Sequence, residues 1–459
     1  MRYFKVLLVV AVVYLVYVLV SGILVFYIIR PEPAKAVDIQ FKETNERVSL
    51  IDRPSDAWQA RVDLISRAQE TIDIAYYAFH GGESVDLFVG LLLDAADRGV
   101  QVRFLMDGVA NGIRFEPEIY RVLVAHPNIE FAFYEPLHVL QPWTWHNRMH
   151  DKIIVVDGEV AMMGGRNIGD KYFTDDVPSL SIDRDVMVFK GDTGQDDTYL
   201  LSQLANHFTD LWTSDYSVVQ TRTFSASKQE EILRQQAEFV QKTHQKTTAD
   251  PNLTQWYAKS HPVRGASFVT NPLGRFYKEG VVWEYLLALT KQAEKSIIIQ
   301  TPYIIPTVQM REDMEQQMPD DEVATNLLTN SLASTNNLIA NSGYQNNRQE
   351  IIDQGTQIYE FQPNEAQFHT KAIIIDERIS AIGTFNMDSR SAYLNTESMF
   401  IFDSPSLAAE LLSNIEVDYG QQIVAVDEDN PADQSDYSSA KYVVSRLLQP
   451  IARLFAPFL

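Results

Sequence analysis

The sequence predicts an α/β fold in which two similar halves, each a mixed sheet flanked by helices, follow one apolar anchor helix. Three observations predict it. Strand-like and helix-like stretches alternate through most of the 459 residues, which indicates α/β layers. The string His-x-Lys-(x4)-Asp-(x6)-Gly-x-x-Asn occurs twice with the same spacing, as His150, Lys152, Asp157, Gly164, Asn167 and as His369, Lys371, Asp376, Gly383, Asn386. Such a repeat predicts two halves related by a pseudo-two-fold axis, as in a fused dimer. Finally, Val6 to Ile29 is uncharged and almost wholly apolar.

The apolar segment 6–29 spans roughly 36 Å as a helix, enough to cross a hydrocarbon core of about 30 Å. Ala34-Lys35-Ala36 looks faintly like a signal-peptide cleavage site. The apolar run exceeds the roughly 7–15 residues of a signal peptide, so a retained single-pass anchor in the cell membrane is the expectation. Arg2 and Lys5 precede the segment, and Arg30 and Lys35 follow it. This slight asymmetry favours the amino terminus inside and the body on the extracytoplasmic side. Residues 30–50, with Pro31 and Pro33, read as a linker.

The first half, 51–215, opens on an alternating strand, Thr71 to Tyr77. Ser84 could cap a helix that carries Leu87, Leu91, Leu92 and Ala95 on one face, with Gly99 as its left-handed end. Strands follow at Val100 to Met106, Ile129 to Tyr134 and Ile153 to Val156. Residues 216–265 are polar, Gln/Lys-rich and helix-prone, and read as a connecting insertion. The second half, 266–425, repeats the rhythm: helix Trp283 to Ala293, strand Ser296 to Thr301, then Gln357 to Glu360 and Lys371 to Asp376. The final stretch, 426–459, holds an acidic loop (Asp427, Glu428, Asp429, Asp433) and a tail. In that tail Leu447, Leu448, Ile451, Leu454, Phe455 and Phe458 recur at helical spacing. It is either a helix packed on the body or one lying in a membrane interface, and Pro450 and Pro457 argue against a continuous helix.

A net charge of -23 and a pI near 4.8 make the chain a poor tracker of polyanions, so no nucleic-acid partner is expected. Anionic lipid would also repel it, so membrane contact needs the hydrophobic anchor. The absence of cysteine excludes disulfides, thiolate catalysis and Cys-ligated metal.

The doubled motif suits one phosphoryl-handling site assembled from both halves. A neutral imidazole can attack phosphorus, and a second, protonated one can donate to the leaving oxygen. Lys152 and Lys371 each lie two residues after a His on a strand, hence on the same face, where an ammonium can stabilise phosphoryl oxygens. Asn167 and Asn386 can donate amide hydrogens to the same oxygens, and Gly164 and Gly383 let backbone approach closely. Asp157 and Asp376 complete the catalytic motif, but at strand ends they are better placed to hold local structure than to touch substrate. Each imidazole needs a partner for its other nitrogen. Asp185 and Glu397, each just before an apolar strand, are the candidates. The remaining histidines, including His80, His138 and His146, read as ordinary ones. No Asp/Glu/His set has metal spacing, and no P-loop or nucleophile elbow is present, so neither metal nor cofactor is expected.

At these residues the chain resembles the phospholipase D superfamily, whose signature is this His-Lys-Asp pattern in duplicate. Within it the chain is similar to bacterial cardiolipin synthases, particularly the C-type. The supporting stretches are Arg148-Met-His-Asp-Lys, Gly164-Gly-Arg-Asn-Ile-Gly-Asp-Lys-Tyr-Phe, Thr329-Asn-Ser-Leu-Ala and Gly383-Thr-Phe-Asn-Met-Asp-Ser-Arg-Ser. The resemblance implies two phospholipase D-like halves and metal-independent phosphatidyl transfer through a phospho-histidine, with His150 as nucleophile and His369 as general acid, then base. It implies phospholipid substrates: phosphatidylglycerol as acceptor, and phosphatidylglycerol or phosphatidylethanolamine as donor. Thr384 stands where Ser is common after the second motif's Gly, and Gly165 fills that place in the first. The stretch before His369 looks shorter than in C-type relatives, and a long amino-terminal span is not typical of them.

The alternatives are a phospholipase D hydrolase releasing phosphatidic acid and a membrane-tethered phosphodiesterase or nuclease. The anchor, the acidic charge and the apolar loop Leu137, Val139, Leu140, Pro142, Trp143, Trp145 argue against the nuclease. That loop is either core packing or a rim dipping among acyl chains, since Trp favours the interface. Oligomeric state has no signal in the sequence.

Overall fold

Continuous apolar runs set the centre of each half. Lys152–Val156 is buried throughout and Ala372–Ile375 nearly so, as strands covered on both faces must be. The computed structural model describes residues 2–113, 116–175, 177, 179–191, 198–247, 251–317, 322–362, 366–426 and 439–459. The acidic-loop residues Asp427, Glu428, Asp429 and Asp433 lie outside that set.

Two mixed sheets form. The first runs His261–Pro262, Arg47–Ile51, Asp185–Phe189, Val160–Gly164, Lys152–Val156, Thr71–Tyr76, Gln101–Asp107, Ile129–Tyr134, Ser217–Val219. The second runs Gly265–Thr270, Ser398–Asp403, Ile379–Gly383, Ala372–Ile375, Ser296–Gln300, Ala324–Asn330, Gln357–Phe361, Ile423–Val426. Eight positions correspond in order, so the sequence repeat is a repeat of fold. In each sheet three successive strands are parallel (Thr71, Gln101 and Ile129 onward; Ser296, Ala324 and Gln357 onward), and the motif strand pairs antiparallel to the first of them.

Alternation along the strands divides the core. Ile72, Ile74 and Ile154 face an outer layer built with Val89, Leu92 and Leu93 of helix Glu83–Asp97. Ala75, Leu105, Ile153 and Val155 face the other way and meet Ala372, Ile374, Phe400 and Phe402 of the second sheet. The two sheets thus share one inner core. Leu204 and Phe208 of helix Tyr199–Thr213 and Leu407 and Leu411 of helix Pro405–Asn414 join it.

Two local expectations fail. Ser84 does not cap its helix. The preceding Gly82 adopts a φ of 99°, and the Asp170 carboxylate reaches over to accept from the backbone N–H groups of Glu83 (3.1 Å) and Ser84 (2.7 Å). A carboxylate at a helix start satisfies two free donors at once, which outcompetes a hydroxyl. Likewise Pro450 does not interrupt the tail: one helix runs Ser439–Phe455. Pro450 is exposed, so the hydrogen bond it forgoes is not lost inside a core. This helix packs through Ser445, whose carbonyl accepts from Ser342 Oγ at 2.9 Å, while Leu447, Ile451 and Leu454 stay exposed. It therefore packs on the body through one face and leaves apolar residues exposed on another.

The apolar helix is long and apolar enough to cross a membrane over Tyr3–Ile28. It is interrupted by a π-turn at Val20–Leu24, and there it docks on the body. His146 Nε2 donates to the Gly22 carbonyl at 2.7 Å, and a Cβ at Gly22 would sit 2.8 Å from the Pro142 Cβ, so only glycine permits the contact. Tyr14 and Tyr17 hydroxyls donate to the Val139 and Leu140 carbonyls at 2.7 and 2.6 Å. The loop 137–145 thus divides. Pro142 is buried against the helix, whereas Leu137, Val139 and Leu140 remain exposed beside it.

Candidate active site

Each motif histidine enters its site by pairing its backbone with the opposite half. His150 N–H donates to the Thr396 carbonyl (3.3 Å) and Thr396 N–H to the Arg148 carbonyl (2.9 Å). Correspondingly, Ala366–Phe368 pairs parallel with Leu180–Ile182, and His369 N–H donates to the Ile182 carbonyl at 2.7 Å. The segment that delivers one half's histidine is therefore zipped to the segment that delivers the other half's carboxylate. Both histidines line one cavity of about 290 Å³, together with Asn167, Asn386, Tyr77, Tyr172 and Tyr303.

Glu397, one of the two candidate acids, lies 3.0 Å from His150 Nδ1. Asp185, the other candidate, supports neither histidine, and that expectation is corrected. Asp183 Oδ2 lies 2.5 Å from His369 Nδ1, whereas Asp185 Oδ2 accepts from Arg61 (3.0 Å) and Arg166 (3.3 Å) in a buried ion cluster. Register explains the difference. Gly164 pairs with Asp185 in the first sheet and Gly383 with Met399 in the second, so two residues earlier Asp183 matches Glu397.

The two histidine supports differ by one methylene, and the backbone compensates. Thr384 Oγ1 donates to Glu397 Oε2 at 2.5 Å, and Asn395 Nδ2 to Glu397 Oε1 at 3.2 Å. In the first half Gly165 occupies the equivalent place. A Cβ there would lie 2.1 Å from Asp183 Oδ1, so the shorter carboxylate fills the space a side chain would need. The motif glycines themselves are crossed by backbone: a Cβ at Gly164 would meet the Arg184 carbonyl at 2.3 Å, and one at Gly383 the Ser398 carbonyl at 2.1 Å.

Lys152 Nζ donates to the His150 carbonyl and Lys371 Nζ to the His369 carbonyl, and Lys371 Nζ lies 2.8 Å from His369 Nδ1. Asn167 Oδ1 accepts from Ala78 N–H at 3.2 Å and its amide donates to the Tyr172 hydroxyl at 3.3 Å. Buried Asn386 Oδ1 finds no partner among the described residues. Asp157 and Asp376 do not line the cavity. Both adopt a φ of 52°, and each carboxylate accepts from three consecutive backbone N–H groups. These are Gln69, Glu70 and Thr71 for Asp157, and Glu294, Lys295 and Ser296 for Asp376. They clamp the motif strand to the start of its neighbour.

Burial dominates the electrostatics. It pushes His369 down to about 3 with help from Lys371, and His150 well below its ordinary value with help from both lysines. It brings Lys152 to about 7 and Lys371 to about 8, despite the carboxylates nearby. Glu397 is raised by burial to about 7 against the pull of Lys152. Asp183 also feels burial, but Lys371 and His369 hold it down to about 2. The site before substrate arrives thus holds two neutral imidazoles on two unlike carboxyls: one firmly ionised, one poised.

The sequence reading missed several residues. Asp388 lines the cavity and burial raises it to about 7. Arg390 lines it too. His80, read as ordinary, is also in the lining, whereas His146 holds the apolar helix. Lys278, buried, donates to the Asn395 carbonyl at 2.8 Å behind Glu397. Asp388 and Arg390 lie just beyond Asn386, the one proximity signal that could have raised them.

Comparison with known proteins agrees with this architecture. An uncharacterized protein of Helicobacter pylori is 28% identical over 417 residues, covering 81% of this chain and 79% of the relative. Cardiolipin synthase C of Escherichia coli is 29% identical over 408 residues, covering 78% and 81%. The crystal structure of phosphatidylserine synthase from Haemophilus influenzae superposes with a TM-score of 0.63 over 93% of this chain and 97% of that one, at 13% identity, and so shares the fold. The model of the family described as cardiolipin synthase, PLD-like domain, matches residues 62–212 and 286–419, the two segments that carry the paired histidines. By a match that takes in more than half of its length, the chain belongs to that phospholipase D-like family.

Proposed function

We propose that the protein is a cardiolipin synthase-like phosphatidyltransferase that moves a phosphatidyl group onto phosphatidylglycerol through a phospho-histidine. The observation that carries this is the single cavity holding His150 and His369, each backed at Nδ1 by a carboxyl group of the opposite half. Backing at Nδ1 leaves each Nε2 free for chemistry. In the first step His150 Nε2 attacks phosphorus; the N–P bond forms, the P–O bond to the donor's headgroup breaks, and His369 gives its proton to the departing oxygen. In the second, the acceptor hydroxyl passes its proton to His369, its oxygen bonds to phosphorus and the P–N bond breaks. Lys152, Lys371 and the amides of Asn167 and Asn386 stabilise the charged phosphoryl oxygens. His369 starts neutral, held down first by burial and then by Lys371, and the negative charge of a bound phosphodiester acts against both and favours the proton that the acid step needs. No metal takes part in this scheme, and activity should persist in excess EDTA.

The E. coli relative's name supports the lipid substrate class, and so does the docked apolar helix, which in this reading crosses the cell membrane with the body extracytoplasmic. Leu137, Val139 and Leu140, held beside Tyr14 and Tyr17 of that helix, then lie among acyl chains. The test is a lipid-product assay: purified protein and its His150→Ala variant receive labelled phosphatidylglycerol in mixed micelles, with and without phosphatidylethanolamine. A His150-dependent diphosphatidylglycerol product is expected, and the released alcohol names the donor. Phosphatidic acid alone would mean hydrolysis, and no lipid turnover would reject the reading.

A further inference from the structure

A second cavity, of about 570 Å³, abuts the catalytic one. Ile305 lines both. The segment 456–459 divides them, with Ala456 and Pro457 facing the larger cavity and Phe458 and Leu459 the catalytic one. Its walls are drawn from three places: the end of the apolar helix (Phe26, Arg30), the carboxy-terminal helix (Arg453), and the body (Arg311, Glu312, Glu350).

Three features point to the same ligand class. The first is charge. The chain carries -23 overall, yet three arginines meet here. Of the two opposing carboxylates, Glu350 is taken by Arg311 at 2.9 Å. Among the described residues Arg30 and Arg453 make no ion pair. A guanidinium is a planar fork that fits phosphate in two places at once. The second is position. Arg30 lies two residues beyond the membrane-length helix Tyr3–Ile28, and Arg453 sits beside exposed Ile451 and Leu454, so with that helix in a membrane, as proposed above, the cavity opens at headgroup level. The third is need. A transfer between two phospholipids requires a place for a second headgroup. The catalytic cavity is about half as large and is lined by the reacting residues, where the phosphoryl being transferred must sit.

We propose that this second cavity binds the headgroup of the acceptor, an anionic phospholipid bearing a free headgroup hydroxyl. Its phosphate rests on Arg30 and Arg453, and its hydroxyl points past Ile305 into the catalytic cavity. The inference rests on the transfer reading given above. The acceptor enters only the second step: its hydroxyl proton goes to His369, its oxygen forms the new bond to phosphorus, and the bond from phosphorus to His150 breaks.

The full chain and its Arg30→Glu/Arg453→Glu variant should be compared in mixed micelles in two reactions that share the first step. One is formation of diphosphatidylglycerol from phosphatidylglycerol. The other is exchange of labelled free glycerol into phosphatidylglycerol, which needs no second lipid. Exchange in the variant should stay within about twofold of the parent, while diphosphatidylglycerol formation at low lipid falls about tenfold, a loss of about 1.4 kcal/mol of acceptor binding. The Arg30→Lys/Arg453→Lys variant should recover part of that loss. Equal loss of both reactions, or loss of neither, overturns the site. If the parent chain forms no diphosphatidylglycerol, the transfer reading itself fails. Native mass spectrometry then decides the site alone: selective retention of phosphatidylglycerol over phosphatidylcholine, abolished by charge reversal, supports it, and unchanged retention rejects it.

Discussion

His369 Nδ1 and Asp183 Oδ2 lie 2.5 Å apart across the junction of the two halves, although 186 residues separate them in the chain. An ionised carboxylate in that place fixes the ring and its tautomer and leaves Nε2 toward the cavity. Asp183→Asn should therefore lower kcat by about 10²–10⁴-fold with little change in melting temperature. Asp185→Ala should do the reverse. It strands Arg61 and Arg166 in the core, at a cost of about 3–5 kcal/mol, and shows in a denaturant titration. An Asp183→Asn enzyme with near-normal turnover would remove the positioning role.

That pair also marks the limit of what the sequence discloses. The doubled motif and the alternation of strands reveal the two-sheet plan, because repeated spacing and period-two burial are local signals. Glu397 is legible by its place before the strand Ser398–Asp403. Asp183 is not, because the loop from Gly164 to Asp183 is longer than that from Gly383 to Glu397, and Asp185 is as close to its strand as Glu397 is to its own. Only ladder register tells them apart. The docking of the apolar helix was equally hidden. Gly22 reads as an ordinary small residue of a membrane segment until Pro142 and His146 are brought against it.

Asp157 and Asp376 belong to the motif but hold backbone. Asp157→Ala and Asp376→Ala each free three N–H donors at a strand start. Each should cost about 1–3 kcal/mol of stability, while the folded fraction keeps a kcat within a fewfold of the parent. Thermal unfolding beside active-site-normalised turnover separates the two effects. A hundredfold loss of kcat in a fully folded variant would place the carboxylate in the chemistry instead.

Acid should destabilise the fold before ordinary carboxylates titrate. Burial holds His80 and His369 at about 3 and His146 at about 4, and His150 is also well below its ordinary value. Where a folded value lies below the unfolded one, the unfolded chain takes the proton first as pH falls, so stability drops from about pH 6.5 downward. Glu397 and Asp388, both raised to about 7, work in the opposite sense between 7 and their ordinary values, and offset two of the four histidines. Asp183, held at about 2, adds a further loss below about pH 4. Melting temperature should therefore fall steadily between pH 6.5 and 4, and His150→Gln or His369→Gln should flatten the slope. A melting curve independent of pH across that range would contradict the burial of neutral imidazoles.

The two lysines make anion binding a proton-linked event. Burial brings Lys152 to about 7 and Lys371 to about 8, and each lysine lowers the histidine beside it. At pH 8 the free site is therefore short of positive charge. A tetrahedral oxyanion such as tungstate supplies the missing counter-charge, which raises both lysines and draws a proton from solvent. Calorimetric titration at pH 8 in buffers of different ionisation enthalpy should show uptake of about one proton per oxyanion bound. Affinity should decline as pH rises through 8, where the proton must be taken from an ever scarcer supply. Lys371→Met should both weaken binding and reduce the uptake, because one of the two acceptors is gone. Binding enthalpies that do not vary with buffer would mean that the lysines are already charged before the anion arrives. The cavity would then owe its phosphate affinity to a permanent cationic pair rather than to one completed by the ligand.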